Sequence, residues 1–517
     1  MPLKGRRKRR CFSAAFFERY GDDTMSMISV SDLTFSYDGG LELLFDRVSF
    51  QFDTDWKLGF TGRNGRGKTT FLKLLAGELE YRGSISSPVP VTYFPFPVGD
   101  PGRNALEIAE ETAPGREFWE LCRELSLLGM EADVLFRPFD TLSGGEQVKL
   151  LLAALFLNDG RYLLIDEPTN HLDMEGRELL AGYLRKKKGF LLVSHDRAFL
   201  DGCVDHILSI NRADIEIQKG NFSSWAENKR RQDEFERAEH QKLGKEISRL
   251  KEAARRTAGW SDAVEKTKTG SKNSGLRPDR GYIGHKSAKM MKRAKSAENR
   301  RQKALEDRQK LLKNLEEADR LKLSPLVHHA GCLVEAKELC IAYPGTSPCV
   351  PVRFSLQNGE RVALTGKNGC GKTSVLKLLL GEEVPHTGTL TTASGLIVSH
   401  VSQRTDFLQG SLTDFSRENG LDDARFRTIL RKLDVSRSLF EQDMASYSEG
   451  QKKKVLLAKS LCQQAHLYVW DEPLNYIDVL SRMQIEELIL KYRPTLLFVE
   501  HDRAFVERCA NRVIRMG

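Results

Sequence analysis

One set of nucleotide-handling motifs occurs twice in this chain, in the same order and at a nearly constant offset. Lys68 of the first set recurs as Lys372, 304 residues on; Ser143 recurs as Ser448 and Glu167 as Glu472, each at 305; His195 recurs as His501 at 306. Chance matches would not hold register over so long a stretch, so the chain is read as a duplicated nucleotide-binding domain. Its 517 residues leave room for two or three domains with full cores.

Each copy sets its motifs in a strand–loop–helix context. Ile28–Tyr37 alternates as a strand does. A second strand, Lys57–Thr61, enters the glycine-rich run Gly62, Arg63, Asn64, Gly65, Arg66, Gly67, Lys68, Thr69, Thr70, followed by a helical Phe71–Leu75. This is a phosphate-binding loop. Its glycines let backbone N–H groups approach the phosphates, and the helix N-terminus adds a favourable dipole. Lys68 is expected to neutralise the β- and γ-phosphates of ATP and Thr69 to ligate Mg²⁺. The second copy repeats the loop as Gly366, Lys367, Asn368, Gly369, Cys370, Gly371, Lys372, Thr373, Ser374.

Tyr162–Ile165 is an apolar strand ending in Asp166 and Glu167; Leu467–Trp470 ends in Asp471 and Glu472. The first acid of each pair is placed for the Mg²⁺ shell and the second to polarise the attacking water. His195 and His501 end further apolar strands, within reach of a γ-phosphate; a lone histidine there would be structural, and the paired spacing reverses that expectation. Ser143, Gly144 and Gly145 open a helix, which suits phosphate binding. The second copy of that signature reads Ser448-Glu449-Gly450, with an acid where glycine stands in the first.

On these motifs the chain resembles the ATP-binding-cassette superfamily. The resemblance implies an α/β fold of two tandem P-loop NTPase cassettes that pair head to tail within one monomer, the signature of each closing over ATP held by the other. It further implies that Tyr37 and Tyr343 stack on adenine and that Gln403 contacts Mg²⁺. The first cassette lacks that glutamine, since Tyr93-Phe94-Pro95-Phe96 aligns with His400-Val401-Ser402-Gln403. Phe96 and Glu449 both fall at the composite site built on Lys68 and Glu167. An acid facing a γ-phosphate repels it unless the side chain turns away or Lys452–Lys454 compensate. The Lys68 site is therefore expected to turn over more slowly than the Lys372 site.

The net charge of +9 is unevenly spread. Glu227–Lys322 carries 28 Lys/Arg against 16 Asp/Glu, and residues 1–24 carry 7 against 3. The cassettes are thus net acidic and the insert between them strongly basic, which directs a polyanion to the insert. Trp225–Ala258 and Lys286–Leu321 are helical in pattern, each long enough for roughly 50 Å. Together they read as a hairpin with its tip at about 259–285, rich in glycine and carrying Trp260, Lys272, Arg277 and Tyr282. Charge alone allows a solvated coiled coil; basic residues interleaved with aromatics favour RNA contact. The expected layout is a basic, disordered extension over 1–26, or a start read too early; cassettes over 27–221 and 326–517; and a linker over 222–325.

Tandem cassettes, a helical linker and no run near the roughly 20 apolar residues of a membrane span resemble the ABC-F class. The run Arg280–Arg293, with Tyr447–Gln451 and Trp470–Asp478, is similar to its Lsa/Vga-type antibiotic-resistance branch. That branch implies a cytoplasmic ATPase acting on the bacterial 70S ribosome, without membrane subunit or DNA. With ATP bound it enters the tRNA exit site, its linker reaches the peptidyl-transferase centre of the 23S rRNA, and lincosamide, pleuromutilin or streptogramin A leaves. The tip residues then meet either the drug or only rRNA and a displaced tRNA, the second being the expectation. Two other readings stand beside this one: a housekeeping ABC-F translation factor, and a peripheral ATPase of a drug exporter, which leaves the basic insert unexplained. Nine scattered cysteines without a CxxC pair argue against zinc and suit a reducing compartment.

Overall fold

The computed structural model describes residues 26–516, except 38–42, 159, 171, 211–214 and 343–349 and, within 267–320, all but 285, 288–289, 291–292, 295–296, 298–300 and 302–303. The duplicated motifs lie in two copies of one α/β architecture. In the first, six strands lie in the order Val91–Phe94, Tyr162–Asp166, Phe190–Val193, Lys57–Thr61, His206–Ile210, Ile215–Lys219, parallel except for the last pair. In the second, Val398–Val401, Leu467–Asp471, Leu496–Val499, Arg361–Gly366 and Arg512–Met516 are parallel throughout. The acid-bearing strands Tyr162–Asp166 and Leu467–Asp471 are buried at every position, because both faces of a parallel sheet are covered.

One face packs on a three-stranded antiparallel sheet, Phe45–Asp53, Met27–Phe35 and Arg82–Ser86 in the first copy and Val352–Gln357, Cys332–Ile341 and His386–Thr392 in the second. The other face packs on helices. The cores are not independent. Val479 of the second cassette lies in the helical core of the first, and Met174 of the first packs against that of the second.

Each cassette also contains a buried arginine that its motifs do not mention. Arg482 pairs with Asp502 at 3.0 Å and donates to the carbonyls of Ile477 (2.8 Å) and Leu474 (2.9 Å). Arg177 does the same with Asp196 (2.9 Å) and Leu172 (3.1 Å). These guanidinium groups hold the loops after the acid pairs against the histidine-bearing loops.

The linker departs from expectation. Its first helix runs 45 residues, Phe222–Lys266, so Trp260 lies on the helix and not in a tip loop. The single Gly259 costs about 1 kcal/mol. That is too little to stop a charged helix laced with pairs such as Arg231–Glu227 and Arg256–Glu252. Lys272, Arg277, Tyr282 and the basic extension over 1–25 lie outside the described residues.

Replacing Arg482 by Ala leaves Asp502 buried without its cation. The expected cost to the second cassette is about 3–5 kcal/mol, read as an early transition in chemical denaturation that Arg482→Lys partly restores.

Candidate active site

The phosphate loops are shaped by glycines in left-handed backbone. Gly67 (φ 89°) and Gly371 (φ 95°) cap helices Lys68–Leu75 and Lys372–Leu379, turning the chain so that the first helical N–H groups face the phosphate position. Each lysine folds over its own loop. Lys68 Nζ donates to the carbonyls of Gly62 (2.8 Å) and Arg63 (3.1 Å), and Lys372 Nζ to those of Gly366 (2.8 Å) and Lys367 (2.9 Å). An arriving phosphate exchanges these for charged partners. Tyr37 shares a 2.8 Å hydrogen bond with Thr70 and keeps an exposed ring beside the loop, free to stack; Tyr343 lies outside the described residues.

Behind each loop stand the paired acids. Thr69 donates to Asp166 at 2.7 Å, and Thr373 stands beside Asp471 in the second copy. Burial raises both aspartates, Asp471 to about 6. Asp471 Oδ1 and Glu167 Oε1 are buried with no hydrogen-bond partner among the described residues. A hydroxyl, a carboxylate and an orphaned oxygen beside a phosphate loop fit a hydrated Mg²⁺ that keeps waters and takes phosphate oxygens. Bound there, the ion would neutralise charge on the phosphates. Both glutamates hold left-handed backbone, Glu167 at φ 50° and Glu472 at φ 45°, a strain that clusters at functional sites.

The two glutamates differ electrostatically. His195 Nε2 lies 3.4 Å from Glu167 Oε1 and His501 Nε2 lies 3.5 Å from Glu472 Oε1. Burial and the neighbouring Asp166 push the Glu167 carboxyl up to about 8, and burial beside Lys68 and Arg482 holds His195 well below its ordinary range. Burial acts on Glu472 in the same direction, but the His501 and Gln403 side chains beside it and the charge of Lys453 outweigh it, and Asn475 Nδ2 donates to its carboxylate. Glu472 therefore lies below the usual carboxylate range. Phe96, which stands in place of Gln403, offers Glu167 no donor and packs instead against the helical core. Asp166 takes a different partner, the Tyr93 hydroxyl at 3.1 Å.

Cassette 2 closes on the Lys68 site. Gly450 is buried where an added Cβ would meet the Tyr476 carbonyl at 2.5 Å and Asn64 Nδ2 at 2.9 Å, so the second signature lies against the first phosphate loop. Asn64 also donates to the Tyr476 carbonyl at 2.6 Å, and Arg63 lies 3.5 Å from Asp434. Glu449 does not face this site. Its carboxylate accepts from Thr405 of its own cassette and pairs with Lys452 at 3.4 Å. Lys454 instead pairs with Asp478 at 2.9 Å, and Lys453 turns inward.

The Lys372 site is less covered. Ser143 caps the first signature helix by accepting from the Glu146 N–H, as Ser448 caps the second, but Gly145 is only half-buried where Gly450 is buried. Asn170 of the first cassette joins Gln403, Glu472 and Asn475 around a cavity of about 360 Å³. Arg177, Arg482 and the Tyr93 hydroxyl belong to no motif, and from sequence Lys453 reads only as a charge that offsets Glu449. The arginines were findable, being 305 residues apart like the motifs themselves.

The family model described as ABC transporter matches residues 45–170 and 349–475. The ATP-binding protein Uup of Caulobacter vibrioides is 30% identical over 498 residues, covering 92% of this chain and 75% of that protein. The ribosome protection protein VmlR of Bacillus subtilis strain 168 is 27% identical over 480 residues, covering 92% and 84%. Among solved structures, the archaeal ribosome recycling factor aABCE1, determined in complex with the ribosomal stalk protein aP1, superposes with a TM-score of 0.61. It covers 94% of this chain and 87% of that one at 21% identity, a likeness of fold.

With hydrolysis confined to one site at a time, Glu472→Gln should cost more of the total ATPase than Glu167→Gln. Adding Phe96→Gln to the Glu472→Gln protein should raise its remaining activity severalfold by giving Glu167 the donor that Glu472 has. Equal residual rates in the two single variants would remove the asymmetry.

Proposed function

The chain belongs to the ABC-F family of tandem-cassette ATPases, and we propose that it protects the bacterial ribosome from antibiotics of the peptidyl-transferase centre. The observation that carries this reading is the helix Phe222–Lys266, about 68 Å long by its residue count, leading from cassette 1 into the most basic segment of the sequence. A rigid reach ending in positive charge suits entry into structured RNA. The likeness to a ribosome protection protein over 92% of the chain supports the same partner.

In this reading, two bound ATP molecules hold the cassettes together. Lys68 and Lys372 leave their own loop carbonyls for the phosphates, and Ser448 and Gly450 complete the Lys68 site from across the interface. Closure sets the linker so that it enters through the tRNA exit site and displaces lincosamide, pleuromutilin or streptogramin A. Glu167 and Glu472 then orient the attacking waters, and hydrolysis releases the complex. No helix among the described residues is long and apolar enough to cross a membrane, so an exporter role would rest entirely on a partner. The 30% identity to a protein named only for ATP binding favours a second reading, a housekeeping ABC-F factor on the same ribosome.

Expression in a drug-susceptible bacterium separates these readings. Growth should extend severalfold in lincosamide, pleuromutilin and streptogramin A, not in macrolide or phenicol, and Glu167→Gln with Glu472→Gln should abolish it. Co-sedimentation with ribosomes in ATP but no protection would leave the housekeeping factor; association with membranes alone would leave neither.

A further inference from the structure

The second signature helix carries two side chains for which the first has no counterpart. Glu449 and Lys453 are one turn apart and share a face of helix Glu449–Cys462. Both reach the same loop of their own cassette. Thr405 donates to the Glu449 carboxylate, while Lys453 Nζ donates to the carbonyls of Ser402 (2.8 Å) and Gln403 (3.3 Å) and, behind them, of Asp471 (3.2 Å). The loop Ser402–Thr405 is therefore fastened to one helix along most of its length.

That loop and that helix serve different ATP sites. Gln403 and Glu472 line one cavity, so the loop belongs to the Lys372 site. The helix begins at Glu449 and carries Gly450 against Asn64, so its start belongs to the Lys68 site. In cassette 1 the matching positions are Phe96, Val98, Gly144 and Val148. Phe96, Val98 and Val148 pack against the helical core, and Gly144 has no side chain, so this polar fastening cannot form there. Lys453 carries a cost that Val148 does not: it is almost wholly buried, and desolvation pushes its ammonium down to about 8.

We propose that Thr405, Glu449 and Lys453 form a clamp, present in the second cassette alone, through which ATP at the Lys372 site sets the geometry of the Lys68 site. All three are positioning residues; the clamp holds Gln403 and the second signature in one rigid piece. The clamp couples the two sites, reciprocally for binding as linkage requires, and the apolar packing of cassette 1 supplies no second route of this kind. Glu449 in place of glycine is then a connector. The inference rests on the ATPase chemistry and not on the ribosome, so its test uses the isolated full chain.

In the Glu472→Gln protein only the Lys68 site hydrolyses, while the Lys372 site still binds ATP. Thr405→Val, which Val98 of cassette 1 suggests as the replacement, should slow that hydrolysis by about two- to thirtyfold, the span of coupling changes of this kind. Thr405→Ser keeps the hydroxyl and should restore the rate. The deciding arm empties the Lys372 site with Lys372→Ala in the same background, where Thr405→Val should change the Lys68-site rate by less than about twofold. Equal slowing with the Lys372 site filled or emptied would mean ordinary structural damage and overturn the clamp, as would no slowing in either. If turnover at the Lys68 site is too slow to follow, the release rate of labelled ATP from it reads the same coupling. Glu449→Ala should reproduce Thr405→Val, and if it fails to fold, the two Thr405 variants decide.

Discussion

The approach of Gly450 to Asn64 and the Tyr476 carbonyl is the contact on which the rest of the molecule depends. It brings backbone of one cassette so close to the phosphate loop of the other that no side chain fits between them. A signature helix can present its N-terminal N–H groups to a phosphate held across an interface only at such a distance. The surrounding ion pairs, Arg503 with Glu178 at 2.7 Å and Arg197 with Glu486, then hold the cassettes in register. The first signature, with Gly145 half-buried where Gly450 is buried, shows the same device in its less covered form.

From that contact follows an inequality of chemistry. Both glutamates occupy strained backbone beside a histidine, so the scaffold prepares both for one task. What differs is the set of neighbours. Glu472 has His501, Gln403 and the charge of Lys453 to keep it ionised and accepts from Asn475, while Phe96 turns into the core and leaves Glu167 to burial and the charge of Asp166. A carboxyl held near neutrality of charge is a poorer base until an arriving cation or phosphate-bound ion redresses the field. Exchanges at two places, Phe96 for Gln403 in the loop and Val148 for Lys453 on the signature helix, thus help separate two similarly built sites.

The two cassettes, the phosphate loops, the acid pairs and the signature helices were legible because phosphate chemistry demands fixed residue types at fixed spacing, and duplication displayed that spacing twice. Arg177 and Arg482 kept the same register but carried no motif to mark them. The fate of Glu449 was not legible. Sequence placed an acid at a phosphate-facing position; only packing shows that Thr405 and Lys452 draw it aside. From sequence Lys453 reads only as one of three lysines that could offset Glu449; that it enters the core and reaches the Ser402 and Gln403 carbonyls took packing to show. The end of the first linker helix was misjudged at Gly259, because local propensity weighs a glycine against a loop and not against a long helix already formed around it.

The linker's anchorage explains how these small differences could matter at a distance. Phe222 and Trp225 are buried in the helical core of cassette 1, Asp201 accepts from the Ser223 N–H at 2.8 Å, and Asn221 caps the helix start. The 45-residue helix is therefore an extension of that core, not a tether to it. Val479 of cassette 2 enters the same core, so a change in how the cassettes close acts on the packing from which the helix springs. A rotation of a few degrees at the base of a lever this long becomes a displacement of several ångströms at its far end. Interfaces and packed cores switch between discrete arrangements and do not deform smoothly, which lets the occupancy of ATP sites select where the far end lies.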